Sequence, residues 1–100
     1  YGAEHWDAGR ITARIGEAAA WAARHNVRLT CNEFGVYRAV VLPEARNTWI
    51  ADVRAACEQH GIGWSMWDYS ANFGLATELN MQRTIDPATA AALGLTLQRQ

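Results

Sequence analysis

The sequence predicts an α/β chain in which parallel strands alternate with crossover helices. Three observations carry this. Apolar residues recur at helical spacing in two long stretches, and each stretch is followed by a short segment of near period two. The resulting order is helix, strand, helix, strand, helix, and such alternation argues for a parallel sheet. The equivalent ends of the two strands, Glu33 and Trp67, lie 34 positions apart, close to the roughly 31 residues per unit of an eightfold barrel of about 250 residues. A doubly wound sheet fits the same spacing.

The first helix is expected over residues 7–25, where Ile11, Ile15, Ala18 and Ala22 form one face and Arg10, Arg14, Glu17 and Arg24 occupy others. Asp7 suits its N-cap and His25-Asn26 its end. Residues 27–33, Val-Arg-Leu-Thr-Cys-Asn-Glu, read as a strand closed by Gly35. A loop over 36–44 carries Pro43. The second helix is expected over 45–60, with Trp49, Ile50, Val53, Ala56 and Cys57 on its apolar face and Gly61 just beyond its end. Residues 62–67 form the second expected strand. Residues 68–86 carry little regular signal. Asp86-Pro87 then opens a short helix to about Leu93, with Asp as cap and Pro at the first helical position.

Composition bounds the function. Half of the 100 residues are hydrophobic, and 19 of these are alanine; the other apolar residues suffice for a packed core. Nine basic residues face ten acidic ones, a net charge of −1. That balance supplies neither an electrostatic footprint for nucleic acid nor a polybasic patch for a membrane surface. No stretch approaches the roughly 18 apolar residues of a membrane span. The start, Tyr1-Gly2-Ala3-Glu4-His5-Trp6-Asp7, has no Met and no signal-peptide pattern, so the chain reads as a piece of a longer one. Two strands alone cannot bury both of their faces, which gives the same expectation: the remaining strands lie outside this chain, and the piece folds poorly by itself.

The strand faces follow from alternation. In the second strand Ile62, Trp64 and Met66 would meet helices, while Gly63, Ser65 and Trp67 would face a central space. In the first, Val27, Leu29, Cys31 and Glu33 would share the inward face. Arg28, Thr30 and Asn32 would then make an oddly polar outer one. On this register Cys31 points inward and Cys57 lies outside, so no disulfide is expected between them. Both serve as small buried hydrophobes, and their spacing matches no metal motif. No metal ligand cluster and no cofactor motif is found.

Parallel α/β proteins place their sites at the carboxyl ends of strands, and Glu33 and Trp67 occupy two such ends. A carboxylate there can be nucleophile, base, metal ligand or a cap for loop amides; an indole there can be core or ligand platform. A carboxylate beside a flat indole is an arrangement suited to a sugar, whose C–H face packs on the aromatic ring while polar groups take its hydroxyls.

The strings Asn32-Glu33-Phe34-Gly35-Val36-Tyr37, Arg46-Asn47-Thr48-Trp49, Glu58-Gln59-His60-Gly61-Ile62-Gly63-Trp64, Trp67-Asp68-Tyr69 and Asn72-Phe73-Gly74, in this order, resemble glycoside hydrolase family 5, the cellulase family. Ala20-Trp21-Ala22-Ala23-Arg24-His25 looks like the helix before that family's seventh strand. The resemblance spans roughly residues 7–94. It implies the C-terminal portion of a (β/α)8 TIM barrel, an incomplete barrel within one catalytic domain. It implies Glu33 as the nucleophile at the end of the seventh strand and Trp67 as the sugar platform at the end of the eighth. Asn72 and Phe73 would be sugar contacts in the following loop.

By that resemblance the reaction is retaining hydrolysis of a β-1,4-linked polysaccharide through a covalent glycosyl-enzyme, as in an endoglucanase. Neither metal nor cofactor is implied. The partner acid would follow an Asn on the fourth strand, which this chain lacks. Glu17, Asp52 and Glu58 fall on helix surfaces, Glu44 and Glu78 in loops, and Asp68 opposite Trp67, so the piece alone should be inactive. Secretion is expected from the family. The other readings are a non-catalytic carbohydrate-binding barrel, a β-mannanase or other barrel glycosidase, and a half-domain that assembles with a partner. Tyr1 and His5 read as loop residues, and His25 and His60 as helix C-terminal residues favoured by the helix dipole.

Overall fold

The computed structural model describes residues 3–96. Asp7 caps helix α1 (Ala8–His25) by accepting from the Arg10 amide at 2.8 Å. Asn26 ends the helix in the left-handed region, at φ 53° and ψ 46°, a conformation that Asn tolerates better than most residues. Arg24 and His25 complement the negative end of the dipole. Strand β1 (Thr30–Phe34) follows, then a single 3₁₀ turn, Arg38–Val40. Helix α2 (Pro43–Gln59) begins two residues earlier than its periodicity suggests, because Pro43 serves in its first turn, where a missing N–H costs nothing. Gly61, at φ 67°, releases the chain into strand β2 (Gly63–Met66).

β1 and β2 pair in parallel, Thr30 with Gly63, Cys31 with Trp64 and Phe34 with Met66. Three steps along β1 thus match two along β2, so Asn32 and Glu33 together stand against Ser65. One residue too many on one strand is a bulge, and a bulge breaks the alternation of faces. This corrects the register expected for the first strand. Cys31 and Phe34 both turn toward the helices, where Cys31 packs against the cluster that contains Cys57. The polar residues Thr30 and Asn32 lie on the open side, joined from Thr30 Oγ1 to Asn32 Oδ1 at 2.7 Å. Cys31 and Cys57 are therefore neighbours in one layer, both as free thiols. β2 keeps its expected faces: Trp64 and Met66 pack on the core, whereas Gly63 and Ser65 are exposed.

The core forms where α2 crosses the sheet. Ile50, Val53, Ala56 and Cys57 of α2 meet Ile11, Phe34, Ala92 and Leu93. Ile50 is fully buried. Four of the five apolar α2 positions expected from spacing are buried, and Trp49 is half-buried at the cluster's edge.

The segment after β2 is more regular than its sequence suggests. β3 (Ala76–Leu79) and β4 (Gln82–Ile85) pair antiparallel as a hairpin, Ala76 with Ile85 through Leu79 with Gln82. Asn80 and Met81 make a two-residue turn with φ of 50° and 63°, the double positive φ that matches hairpin twist. Glu78, expected in a loop, lies in β3 and faces Arg83 at 3.5 Å. Helix α3 (Pro87–Ala92) closes the described chain, capped by Asp86 Oδ1, which accepts from the Ala88 and Thr89 amides. No helix among the described residues is long and apolar enough to cross a membrane.

Candidate active site

β1 and β2 deliver Glu33 and Trp67 to the same end of the sheet. The Trp67 amide donates to the Phe34 carbonyl at 2.8 Å, extending the parallel ladder one step past β2. Phe34 is the anchor of that step: it is buried and meets Trp64 edge-on, with ring centroids 5.7 Å apart. Gly35 follows because nothing larger fits. A Cβ there would run into the Trp67 carbonyl.

The result is an open cavity of about 330 Å³ lined by Glu33, Phe34, Gly35, Trp49, Trp67 and Phe73. Glu33 is exposed, and half of the Trp67 surface is free. The Trp67–Asp68 peptide bond is cis. Among the described residues, Glu33 is the one carboxylate lining this cavity. A carboxylate and an indole side by side at strand ends can hold a ring with an apolar face and present an oxygen to it.

Phe73 joins the two in that cavity, and its ring leans on Tyr37 with centroids 5.5 Å apart. Asn72 does not. It lines a neighbouring groove of about 310 Å³ with Arg38, Ser70, Ala71, Ala76, Thr77 and Glu78. Its carbonyl accepts from the Arg38 amide at 2.8 Å. The four residues singled out from sequence thus divide into a set of three and one in an adjacent space.

The other described acids have structural partners or lie elsewhere. Asp68 Oδ1 accepts from the Ala71 amide at 2.8 Å and so pins the turn after β2. Glu58 accepts from Arg54 at 2.9 Å and from the Trp64 indole at 3.3 Å. Glu17 pairs with Arg14 at 3.0 Å. No group of three His, Cys, Asp or Glu among the described residues is arranged to hold a metal. A larger cavity, about 520 Å³, lies at the amino ends of the strands between α1 and the α2–β2 turn; Arg28 and His60 line it, and among the described residues no carboxylate does. His60 ends α2, as expected, with its ring against Gly16 and its Nε2 buried. His25 Nδ1 lies 2.8 Å from the Trp21 carbonyl, and its ring stacks on Trp21. His5 is exposed in a turn, and Tyr1 falls outside the described residues.

One buried residue that bonds the loops beside this cavity was not legible from spacing. Arg46, on the second turn of α2, is 1% exposed. Its Nε donates to the Val36 carbonyl at 3.0 Å, and its Nη2 donates to the Phe73 and Gly74 carbonyls, both at 2.9 Å. Nη1 donates to the Thr89 hydroxyl at 2.8 Å. Burial draws its pKa down, as does nearby Arg38, while Asp86 and Asp68 oppose this. A charged side chain on a helix reads as solvated surface, and only the folded loops reveal four acceptors converging on it.

No protein-family model matches the chain. Over 78 residues it is 31% identical to Endoglucanase 3 of Fibrobacter succinogenes, a match that takes in 78% of this chain and 12% of that protein. It superposes on a hyperthermophilic endo-β-1,4-glucanase solved in complex with substrate, at a TM-score of 0.77 and 31% identity, over 90% of this chain and 28% of that one. It also superposes on Cel5A of Thermotoga maritima, solved with cellobiose, at a TM-score of 0.78 and 22% identity, over 87% and 27% of the two chains. The chain thus spans about an eighth of the curated relative and about a quarter of the solved chains. Its two parallel strands and flanking helices have the fold of one portion of a (β/α)8 barrel.

Proposed function

We propose that this chain is the C-terminal part of the catalytic barrel of a retaining β-glycanase of endoglucanase type, acting on β-1,4-linked polysaccharide. The observation that carries this reading is the shared cavity at the carboxyl ends of β1 and β2, in which Glu33 and Trp67 stand together. The 31% identity to two endoglucanases supports the same class.

Glu33 is the nucleophile in this reading. Its carboxylate oxygen attacks the anomeric carbon, the glycosidic bond breaks, and a glycosyl ester forms on Glu33 as the leaving oxygen takes a proton. A second carboxylate, about 5–5.5 Å from the first, donates that proton and later activates the water that releases the sugar. That acid belongs to a barrel strand outside this chain, so these 100 residues are inactive by themselves. Trp67 stacks on the sugar bound beside the cleaved bond, and Phe73 extends the aromatic wall. Asn72, in the adjoining groove, contacts a sugar further along the polymer. A polymeric substrate places the enzyme outside the cell.

The test uses the complete protein with carboxymethylcellulose and, in parallel, β-mannan. Wild-type protein should release reducing ends from the glucan, and Glu33→Gln should lower turnover by about 10³-fold or more. Wild-type turnover in Glu33→Gln would remove the nucleophile from the reading. Tight glucan binding without hydrolysis in the wild type would replace the enzyme with a binding protein. Faster release from mannan would change the substrate.

A further inference from the structure

The buried guanidinium of Arg46 joins segments that the sheet leaves separate. Val36 lies three residues beyond Glu33, and Phe73 and Gly74 lie in the loop that follows Trp67. All three carbonyls accept from Arg46, at 3.0, 2.9 and 2.9 Å. The fourth bond runs to Thr89 of α3, which is itself fully buried. The Thr89 hydroxyl lies 2.9 Å from Asn47 Oδ1 and 3.0 Å from Asp86 Oδ2. One side chain therefore ties the loop after the acid, the loop after the indole and the last helix to the second turn of α2.

Its chemistry is unusual for a packing residue. None of the four bonds described for it is to a carboxylate; Asp86 and Asp68 favour its charge only from a distance, and burying a guanidinium on such terms is costly. An apolar residue of similar volume would fill the space without that cost. What an apolar residue lacks is direction. The planar fork fixes several acceptors at set angles at once, which an ammonium does not do.

We propose that Arg46 is a positioning residue for the glycosidase reaction: by bracing the two loops against each other it sets the placement of the Glu33 carboxylate relative to the Trp67 ring. The proposal rests on the reading of Glu33 as nucleophile. It carries a quantitative expectation, because displacing a reacting group by about 1 Å can cost about 100-fold in rate.

The experiment compares Arg46→Met, Arg46→Lys and Arg54→Met in the complete protein. Arg54 is the control: it also reaches a backbone carbonyl, that of Ala92 at 2.9 Å, and pairs with Glu58, but it lines neither the cavity nor its loops. A 2-deoxy-2-fluoro-β-cellobioside with a good leaving group, which traps the glycosyl-enzyme, titrates active sites, so kcat is read per competent site and lost protein does not count. Arg46→Met should lower kcat per site about 100-fold and move KM less, with Arg46→Lys recovering part of the loss. Arg54→Met should stay within about twofold, since it touches no reacting group.

Unchanged kcat per site in both Arg46 variants overturns the proposal. So does failure of both to fold, which would make Arg46 a fold residue only. Glu33→Gln in the same series separates the two ideas. If it turns over like wild type, the nucleophile reading fails; if it is dead while the Arg46 variants are unimpaired, only the brace fails.

Discussion

Arg38 and Asp86 meet at 2.7 Å although 48 positions separate them in sequence. Arg38 lies in the 3₁₀ turn after β1, and Asp86 caps α3, so the pair ties the loop next to the candidate site to the start of α3. Arg38 also donates to the Gly74 carbonyl at 2.7 Å.

This pair sets a pH dependence. Partial burial by itself would raise the Asp86 pKa, but hydrogen bonds from Arg38 and Thr89, with the Arg38 charge, outweigh it and hold the carboxyl below its usual value. A carboxyl depressed in the folded state stabilises the fold fully above the unfolded pKa of about 3.9. That contribution drains away as pH falls through the folded value. Urea midpoints of the complete protein should fall from pH 6 to pH 3, and Asp86→Asn should be less stable at pH 6 yet flatter over the same interval. Arg38→Met should cost about 1 kcal/mol at pH 7. Parallel curves for wild type and Asp86→Asn would contradict the assignment.

Gly35→Ala should disturb both structure and rate. The added methyl group meets the Trp67 carbonyl, a backbone atom that cannot swing aside. Overpacking of this kind costs about 1–3 kcal/mol, and relief must come from moving Trp67 or the loop after Glu33. Thermal melting should show the loss, and kcat should fall with it. A variant with wild-type melting temperature and rate would mean that the close approach does not exist in solution.

Trp67→Ala should act on binding. Half of the indole surface is free to receive a ring, and losing an aromatic face costs about 1.5 kcal/mol, roughly tenfold in affinity. Calorimetry with cellotetraose and Glu33→Gln protein, which cannot consume it, would measure this directly. Equal affinities with and without the indole would remove Trp67 from the site.

Cys57 should resist alkylation in the native protein. Burial, with Cys31 beside it, pushes its thiol up to about 11, so about one molecule in a thousand is thiolate at pH 8. Iodoacetamide followed by mass spectrometry should leave Cys57 unmodified until urea is added. Rapid native labelling would place Cys57 at the surface.

Much of this fold is written locally in the sequence. Asp7, Asn26, Gly61 and Asp86 mark helix ends through signals that act within three or four residues, whereas Pro43, expected in a loop, opens α2; the α2 face from Ile50 to Cys57 follows from period alone. What escaped depends on distant parts. The hairpin of β3 and β4 turns on Asn80-Met81, where Met takes a positive φ that its type does not announce. The facing of β1 depends on its register with β2, which an isolated strand cannot state. Within the candidate site, Glu33 and Trp67 were singled out by their places at strand ends and Phe73 by the family resemblance alone, and the fold brings the three into one cavity. Asn72 went to a different groove because Arg38 holds its carbonyl there. Arg46 was hidden because its acceptors come from three separate loops and helices.

The doubled step at Asn32 and Glu33 separates two jobs that a regular strand would link. In plain alternation, any slip that reseated the greasy side chains under the helices would swing the acid through half a turn as well. Here Cys31 and Phe34 turn under the helices on either side of the kink, and Asn32 and Glu33 between them are both exposed. Deleting Asn32 would restore plain alternation, with Cys31 and Phe34 under the helices and the acid between them tied to their packing.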